Sequence, residues 1–252
     1  MRQLLLALTL LATMTPAGAE KLVSTVSSQN IQVTSSFDGT TLSLFGNIES
    51  GTPGVAPEGP FNVIISIAGP QQNRVTRLKT NVFGIWTNTD QVVFQRFPSF
   101  YSVLASGKLD KIADQQLLSA NAIDPFDQAL IASKGADAGK SQEFSSQIVR
   151  LMTEQGHFQL REDGVRFLST TAYVAQVTLP GDVPNGGFLG HTIVLDKDRH
   201  KVAENTQGFS VRKSGFENFV FIASRQQPLL YGIVCVILAL GTGWLAGVVF
   251  KR

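Results

Sequence analysis

The segment Gly135-Ala136-Asp137-Ala138-Gly139-Lys140-Ser141 holds the ingredients of a phosphate-binding loop: glycines, a lysine and a hydroxyl. Counting removes the resemblance, because three residues separate the two glycines where such a loop needs four. A strand should also precede it, yet Gln128 to Ser133 reads as helix. What remains is a helix connector in which Asp137 caps the next helix. The histidines are His157, His191 and His200. His191 and His200 could face each other across a hairpin around Asp196 to Arg199, with Asp196 or Asp198 as an oxygen ligand. Two imidazoles without a third ligand at fixed spacing are a weak metal signal. No serine stands in a G-x-S-x-G elbow, the carboxylates are scattered over turns such as Glu162-Asp163, and the single cysteine, Cys235, sits in an apolar run. The expectation is no catalytic residue, no metal ligand and no cofactor.

The elements that would position any site lie between two unlike apolar ends. Met1 to Ala19 has one basic residue, Arg2, a leucine-rich stretch from Leu4 to Ala12, Pro16, and Ala17-Gly18-Ala19, the small-x-small pattern of a signal peptidase site. Leu229 to Phe250 carries no charge and would measure about 33 Å as a helix, matching a hydrocarbon core of about 30 Å. The pattern predicts an exported protein that begins at Glu20 and is held by one C-terminal span. With no N-x-Ser/Thr acceptor and no cysteine directly following Ala19, a bacterial inner membrane with the bulk of the chain in the periplasm is the expected address. Lys and Arg total 21 against 19 Asp and Glu, a balance that implies no nucleic-acid partner.

Leu22 to Phe97 reads as short strands: Leu22 to Val26, Ile31 to Ser35, Thr41 to Ile48, Phe61 to Ala68, Arg74 to Thr80, Phe83 to Thr87 and Val92 to Phe97. Turn pairs such as Asp38-Gly39 and Gly69-Pro70 separate them. Ile64 breaks the alternation of Val63, Ile65 and Ile67, which predicts a central strand buried on both faces. Residues 98–156 read as a helical insertion, with Asp124-Pro125 as cap and first helical residue and Phe144, Ile148, Leu151 and Met152 as an apolar stripe. Strands resume over 157–213, at Phe158 to Leu160 and Val165 to Leu168 around Asp163-Gly164, then Ala172 to Leu179, Phe188 to Leu195 and Lys201 to Val211. The expected fold is mostly β, an immunoglobulin-like β-sandwich over 20–97 and 157–213 with an α-helical insertion and one C-terminal transmembrane helix. Two separate β modules are the other arrangement.

Near the membrane, Ser214 and Glu217 are spaced as a capping box, opening a juxtamembrane helix over 214–228 with Phe216, Phe219, Val220 and Phe221. It lies near the lipid headgroups or packs under the sandwich. In the span over 229–250, Ala239, Gly243 and Gly247 recur at i, i+4, i+8, a small-residue face that lets helices approach closely. Trp86 and Tyr101, with Phe216 and Phe219, are candidates for a contact surface. For Trp86, core packing is the favoured alternative.

The chain resembles a known family. Ile31 to Phe45 with Phe37-x-Gly39, then Gly69-Pro70, Val75-x-Arg77-x-Lys79, Gly84-Ile85-Trp86, Pro98-Ser99-Phe100-Tyr101, Leu179-Pro180, and Tyr231-Gly232 leading to Gly243-Trp244 are similar to the Putative transmembrane protein family of alphaproteobacteria. The second basic residue usual beside Arg77 is Leu78 here. The resemblance supplies no catalytic residues. It implies a neighbouring permease that looks like a sulfite exporter of the TauE/SafE type, hence an integral membrane protein as partner. The expected function is a membrane-anchored periplasmic binding or accessory protein for such an anion exporter, not an enzyme. The alternative is an envelope enzyme or solute-binding protein with a pocket between sandwich and helices.

Overall fold

The structure, a computed structural model, describes residues 20–33, 39–52, 54–57, 59–213 and 216–249. The expected signal segment Met1 to Ala19 and the capping serine Ser214 lie outside the described residues.

The chain opens with β1 (Lys21–Val26), β2 (Asn30–Val33), β3 (Gly39–Glu49) and β4 (Asn62–Ala68). Next come β5 (Gln71–Val82), β6 (Ile85–Pro98) and β7 (Tyr101–Ala105). A helical stretch is next: α1 (Leu109–Ile112), α2 (Gln115–Ala120), α3 (Pro125–Ala132), the short β8 (Ser133–Lys134) and α4 (Ala138–Glu154). Strands resume as β9 (Phe158–Arg161), β10 (Val165–Phe167), β11 (Ala172–Pro180), β12 (Gly186–Leu195) and β13 (Lys201–Lys213). The helices α5 (Phe216–Gln226) and α6 (Pro228–Val249) complete the elements.

Four strands in the order β1-β3-β11-β10 form one sheet, and six in the order β2-β13-β12-β4-β7-β9 form a second. Alternation puts Leu42, Leu44 and Ile48 of β3 and Val177 and Leu179 of β11 on one face, where they meet Val63, Ile65 and Ile67 of β4 and Phe188 and Val194 of β12. Two sheets sharing one apolar layer make a sandwich. Ile64, on the opposite face of β4, belongs to a second apolar layer with Val103, Ile193, Phe94, Phe144 and Phe158. Val63, Ile64, Ile65 and Ile67 all have 0 % exposure, as the unbroken apolar run requires of a strand covered on both faces. Because β3 pairs with β11 and β4 with β12, strands from before and after the helices stand side by side in both sheets.

The helix signals hold locally. Asp124 Oδ1 accepts from Phe126 N at 2.8 Å and Asp137 Oδ1 from Lys140 N at 2.9 Å, each satisfying a backbone donor that the first turn leaves free. Phe144, Ile148 and Met152 are buried, whereas Leu151 turns outward.

Three boundaries differ from the expectation. The helical segment does not begin at Pro98: β7, within the expected 98–156 insertion, is a fully buried strand paired with β4. Phe83 to Thr87 and Val92 to Phe97 are not two strands, because Asn88 to Asp90, which look like turn residues, are held extended by pairing with β5. Asp163-Gly164 is not a hairpin turn between paired strands, since β9 joins β7 in one sheet while β10 joins β11 in the other. At this crossing a Cβ on Gly164 would come within 2.8 Å of Leu104 Cδ2, so a side chain has no room there.

Candidate contact surface

The strands β5 and β6 pair from Gln71 opposite Pro98 to Val82 opposite Ile85, and β8 adds a short third strand at the base. The base is anchored by burial. Val92, Phe94 and Phe97 sink into the second apolar layer, with the Phe97 and Phe158 rings 5.4 Å apart. Lys140 Nζ lies 2.7 Å from Asp90 Oδ2, and this ammonium holds the Asp90 carboxyl below its ordinary range. Beyond that ion pair the cover ends, and residues 77–89 are exposed without interruption.

The apex is a two-residue turn, Val82-Phe83-Gly84-Ile85, with φ of +50° at Phe83 and +86° at Gly84. Positive φ at both central positions is the primed turn that suits the twist of a hairpin. Asn81 Oδ1 accepts from Gly84 N at 2.8 Å and closes it. Phe83 is a costly occupant of a left-handed position, where asparagine or glycine would sit with less strain; the penalty is of order 1 kcal/mol. Its ring gains nothing within the chain, being 101 % exposed. Val82, Ile85 and Trp86 are exposed beside it, and Leu78 further along the hairpin, opposite Asp90.

Directly opposed residues share a face, so the register assigns sides. Val82 lies opposite Ile85 on one face, and Asn81 opposite Trp86 on the other. The tip is therefore apolar on both faces and at its apex. Arg77 and Lys79, at alternate positions before Asn81, are exposed on the flank. Isolated exposed apolar side chains are ordinary, whereas Val82, Phe83, Ile85 and Trp86 stand together at one tip, the chemistry of a candidate contact surface.

The four residues expected at a contact surface part company. Trp86 is 67 % exposed, which overturns the core reading: neither face of the hairpin is covered at its level. Tyr101 is corrected in the opposite direction. It is 2 % exposed, its hydroxyl donates to Ala122 O at 2.9 Å, and burial pushes its phenol up to about 12. A buried phenol bonded to a loop carbonyl packs the core and offers nothing to a partner. Phe216 and Phe219 lie in α5 with side chains outside the described residues, while Phe221 of the same helix is exposed with the Arg225 guanidinium 5.4 Å from its ring centroid. Phe83, Ile85, Val82 and Leu78 were not expected. Their signal was a Phe-Gly pair between alternating runs, readable as a hairpin apex.

The helix α6 is long and apolar enough to cross a membrane, and none of its length is covered. Pro228 stands at its first position, where no N–H is needed, and Thr242 satisfies its hydroxyl by donating to Leu238 O at 2.8 Å. Ala239, Gly243 and Gly247 fall on one face at i, i+4, i+8. A Cβ added at Gly243 or Gly247 would meet nothing within 4 Å. The chain belongs to the family described as Putative transmembrane protein (Alph_Pro_TM), which matches residues 21–252. No curated protein matches it.

Other polar groups in this family member are engaged elsewhere. In the glycine-containing connector, Gly135 turns with φ +75° between β8 and α4, Ser133 Oγ donates to Ser141 Oγ at 2.8 Å, and Lys140 is held by Asp90. His191 and His200 do not converge. His191 sits opposite Thr206 with Nε2 3.3 Å from Glu204, whereas His200, beyond the last strand pair, is 3.4 Å from Asp196. Among the described residues no group of three or more His, Cys, Asp or Glu is placed to hold a metal ion. The buried His157 lies 3.0 Å from Asp182. An open groove of about 580 Å³ runs between Ser106–Lys108 and Leu160–Asp163, and its Glu162 carboxylate accepts from Leu109 N at 3.1 Å.

Proposed function

We propose that this single-pass family member is an inner-membrane accessory protein: a periplasmic β domain held by α6, which binds another integral membrane protein and does no chemistry of its own. The observation that carries the reading is α6 itself. It is apolar all round, and its Ala239-Gly243-Gly247 face lacks the side-chain bulk that would keep a second helix away. Between membrane helices the hydrophobic effect gives no net drive, so close backbone approach is what makes association favourable. The export direction rests on the Ala17-Gly18-Ala19 site, and the anion exporter, a TauE/SafE-like permease for sulfite or a related anion, on the family resemblance. We also read the sandwich as immunoglobulin-like. The order β1-β3-β11-β10, the facing order β13-β12-β4-β7 and the parallel pairing of β2 with β13 support that reading.

Two measurements test the function together. Purification of the tagged native protein in mild detergent, followed by mass spectrometry, is expected to recover a permease. Deleting the gene is expected to lower export of sulfite or a related anion from the cell. Unchanged export with no transporter recovered would return the protein to unassigned binding modules.

A further inference from the structure

We propose that the tip of the β5–β6 hairpin is a second membrane contact, docking into the headgroup layer of the bilayer that α6 crosses. The first argument is position. In the six-stranded sheet Gly186 lies opposite Val211, and Leu189 opposite Ala68. A Cβ on Gly186 would stand 2.9 Å from Pro70, the residue before β5. The hairpin thus leaves the sheet at the end where β13 runs out through Lys213, three residues before α5 begins at Phe216. The root of the hairpin and the tether to the membrane share one end of the sandwich.

The second argument is reach. The 12 residues of β5 extend about 40 Å at 3.3 to 3.4 Å each. The 11 residues of α5, the connection between sandwich and span, measure about 16 Å as a helix. Within β5, residues 77–82, beyond the covered base, extend about 20 Å, comparable with the length of α5.

The third argument is chemistry, and it selects lipid over a protein groove. A flat protein surface covers one face of a hairpin, leaving the other to water. Here Val82 and Ile85 occupy one face, Trp86 the other, and Phe83 the apex, so the tip calls for surroundings that enclose it on all sides, as a headgroup layer does. A tryptophan with its ring in the acyl boundary and its N–H in the headgroups suits that depth. Arg77 and Lys79, further up the hairpin, would meet anionic headgroups as the apolar tip enters. This inference needs α6 to span a bilayer; it does not need the accessory role or any transporter.

The test uses the full chain in vesicles. The protein has two tryptophans, so Trp244→Phe leaves Trp86 as the only one. In vesicles of phosphatidylglycerol and phosphatidylcholine, chains brominated near the headgroup are expected to quench Trp86 emission at least twofold relative to unbrominated lipid. The quenching should fall when phosphatidylglycerol is omitted or in Arg77→Gln/Lys79→Gln, and vanish in Phe83→Ser/Ile85→Ser. Emission insensitive to bromolipid overturns the proposal in either form: with Trp86 open to acrylamide the tip is in water, and with Trp86 shielded from acrylamide it is covered by protein. Should the Trp244 variant insert poorly, a bimane label on Phe83→Cys in a Cys235→Ser background reads the same contact.

Discussion

Gly46 and Tyr173 are directly opposed across β3 and β11, and a Cβ at position 46 would overlap the phenol ring. The hydroxyl end of the ring covers the glycine, and the residue is buried, which pushes its phenol up to about 12 and keeps it neutral at any physiological pH. Gly46→Ala is expected to destabilise the sandwich by about 1 to 3 kcal/mol, the usual cost of forcing extra volume into a packed core. Thermal unfolding of the detergent-solubilised chain should show a lower Tm, and Tyr173→Leu placed on Gly46→Ala should recover part of the loss. A Tm unchanged by Gly46→Ala would mean that the ring moves aside freely. At this scale the sequence was legible where the interaction is local. The caps Asp124 and Asp137 bond to donors two and three residues away. The contrast between Tyr101 and Trp86 was not legible, since both are aromatic residues in β-like runs and differ only in what folds over them.

The helix α6 poses a question of shape. Its glycines add nothing to an anchoring helix and cost helix propensity in water, but in a bilayer they open a path for another backbone. Replacing both Gly243 and Gly247 by Leu is expected to weaken association with a partner or a second copy by about 1 to 2 kcal/mol, with insertion unharmed because bulk is added without polarity. Co-purification yield against wild type is the measurement; an unchanged yield would leave the span as an anchor alone. The hairpin is the other element whose meaning depends on surroundings. Its base is fixed by Phe94 and Phe97, while its outer residues pair with one another and otherwise face outward. The apolar residues over 71–98 read as core strands. Pairing satisfies a backbone without requiring cover, so strand propensity alone does not separate a buried strand from a projecting one.

For the whole molecule, the proposed topology rests on the Ala17-Gly18-Ala19 pattern and on α6. If Met1 to Ala19 is removed and α6 is the only span, intact mass should place Glu20 first, and protease added to spheroplasts should digest the β domain while α6 stays protected. An uncut Met1, or a domain shielded from external protease, would reverse the orientation. The sequence by itself determined the features that depend on neighbours along the chain: the strand-rich composition, the doubly buried Val63–Ile67 run, the helix starts at Asp124 and Asp137, and an apolar helix of bilayer length. The tertiary structure alone decided which strands share a sheet, that Asp163-Gly164 crosses between sheets, that β7 is buried within the stretch read as helical, and that Tyr101 is inside while Trp86 is outside. The physical reason is range. Propensities, caps and turn geometry act over a few residues, whereas burial is settled by segments roughly 130 positions apart meeting in space, such as β3 with β11.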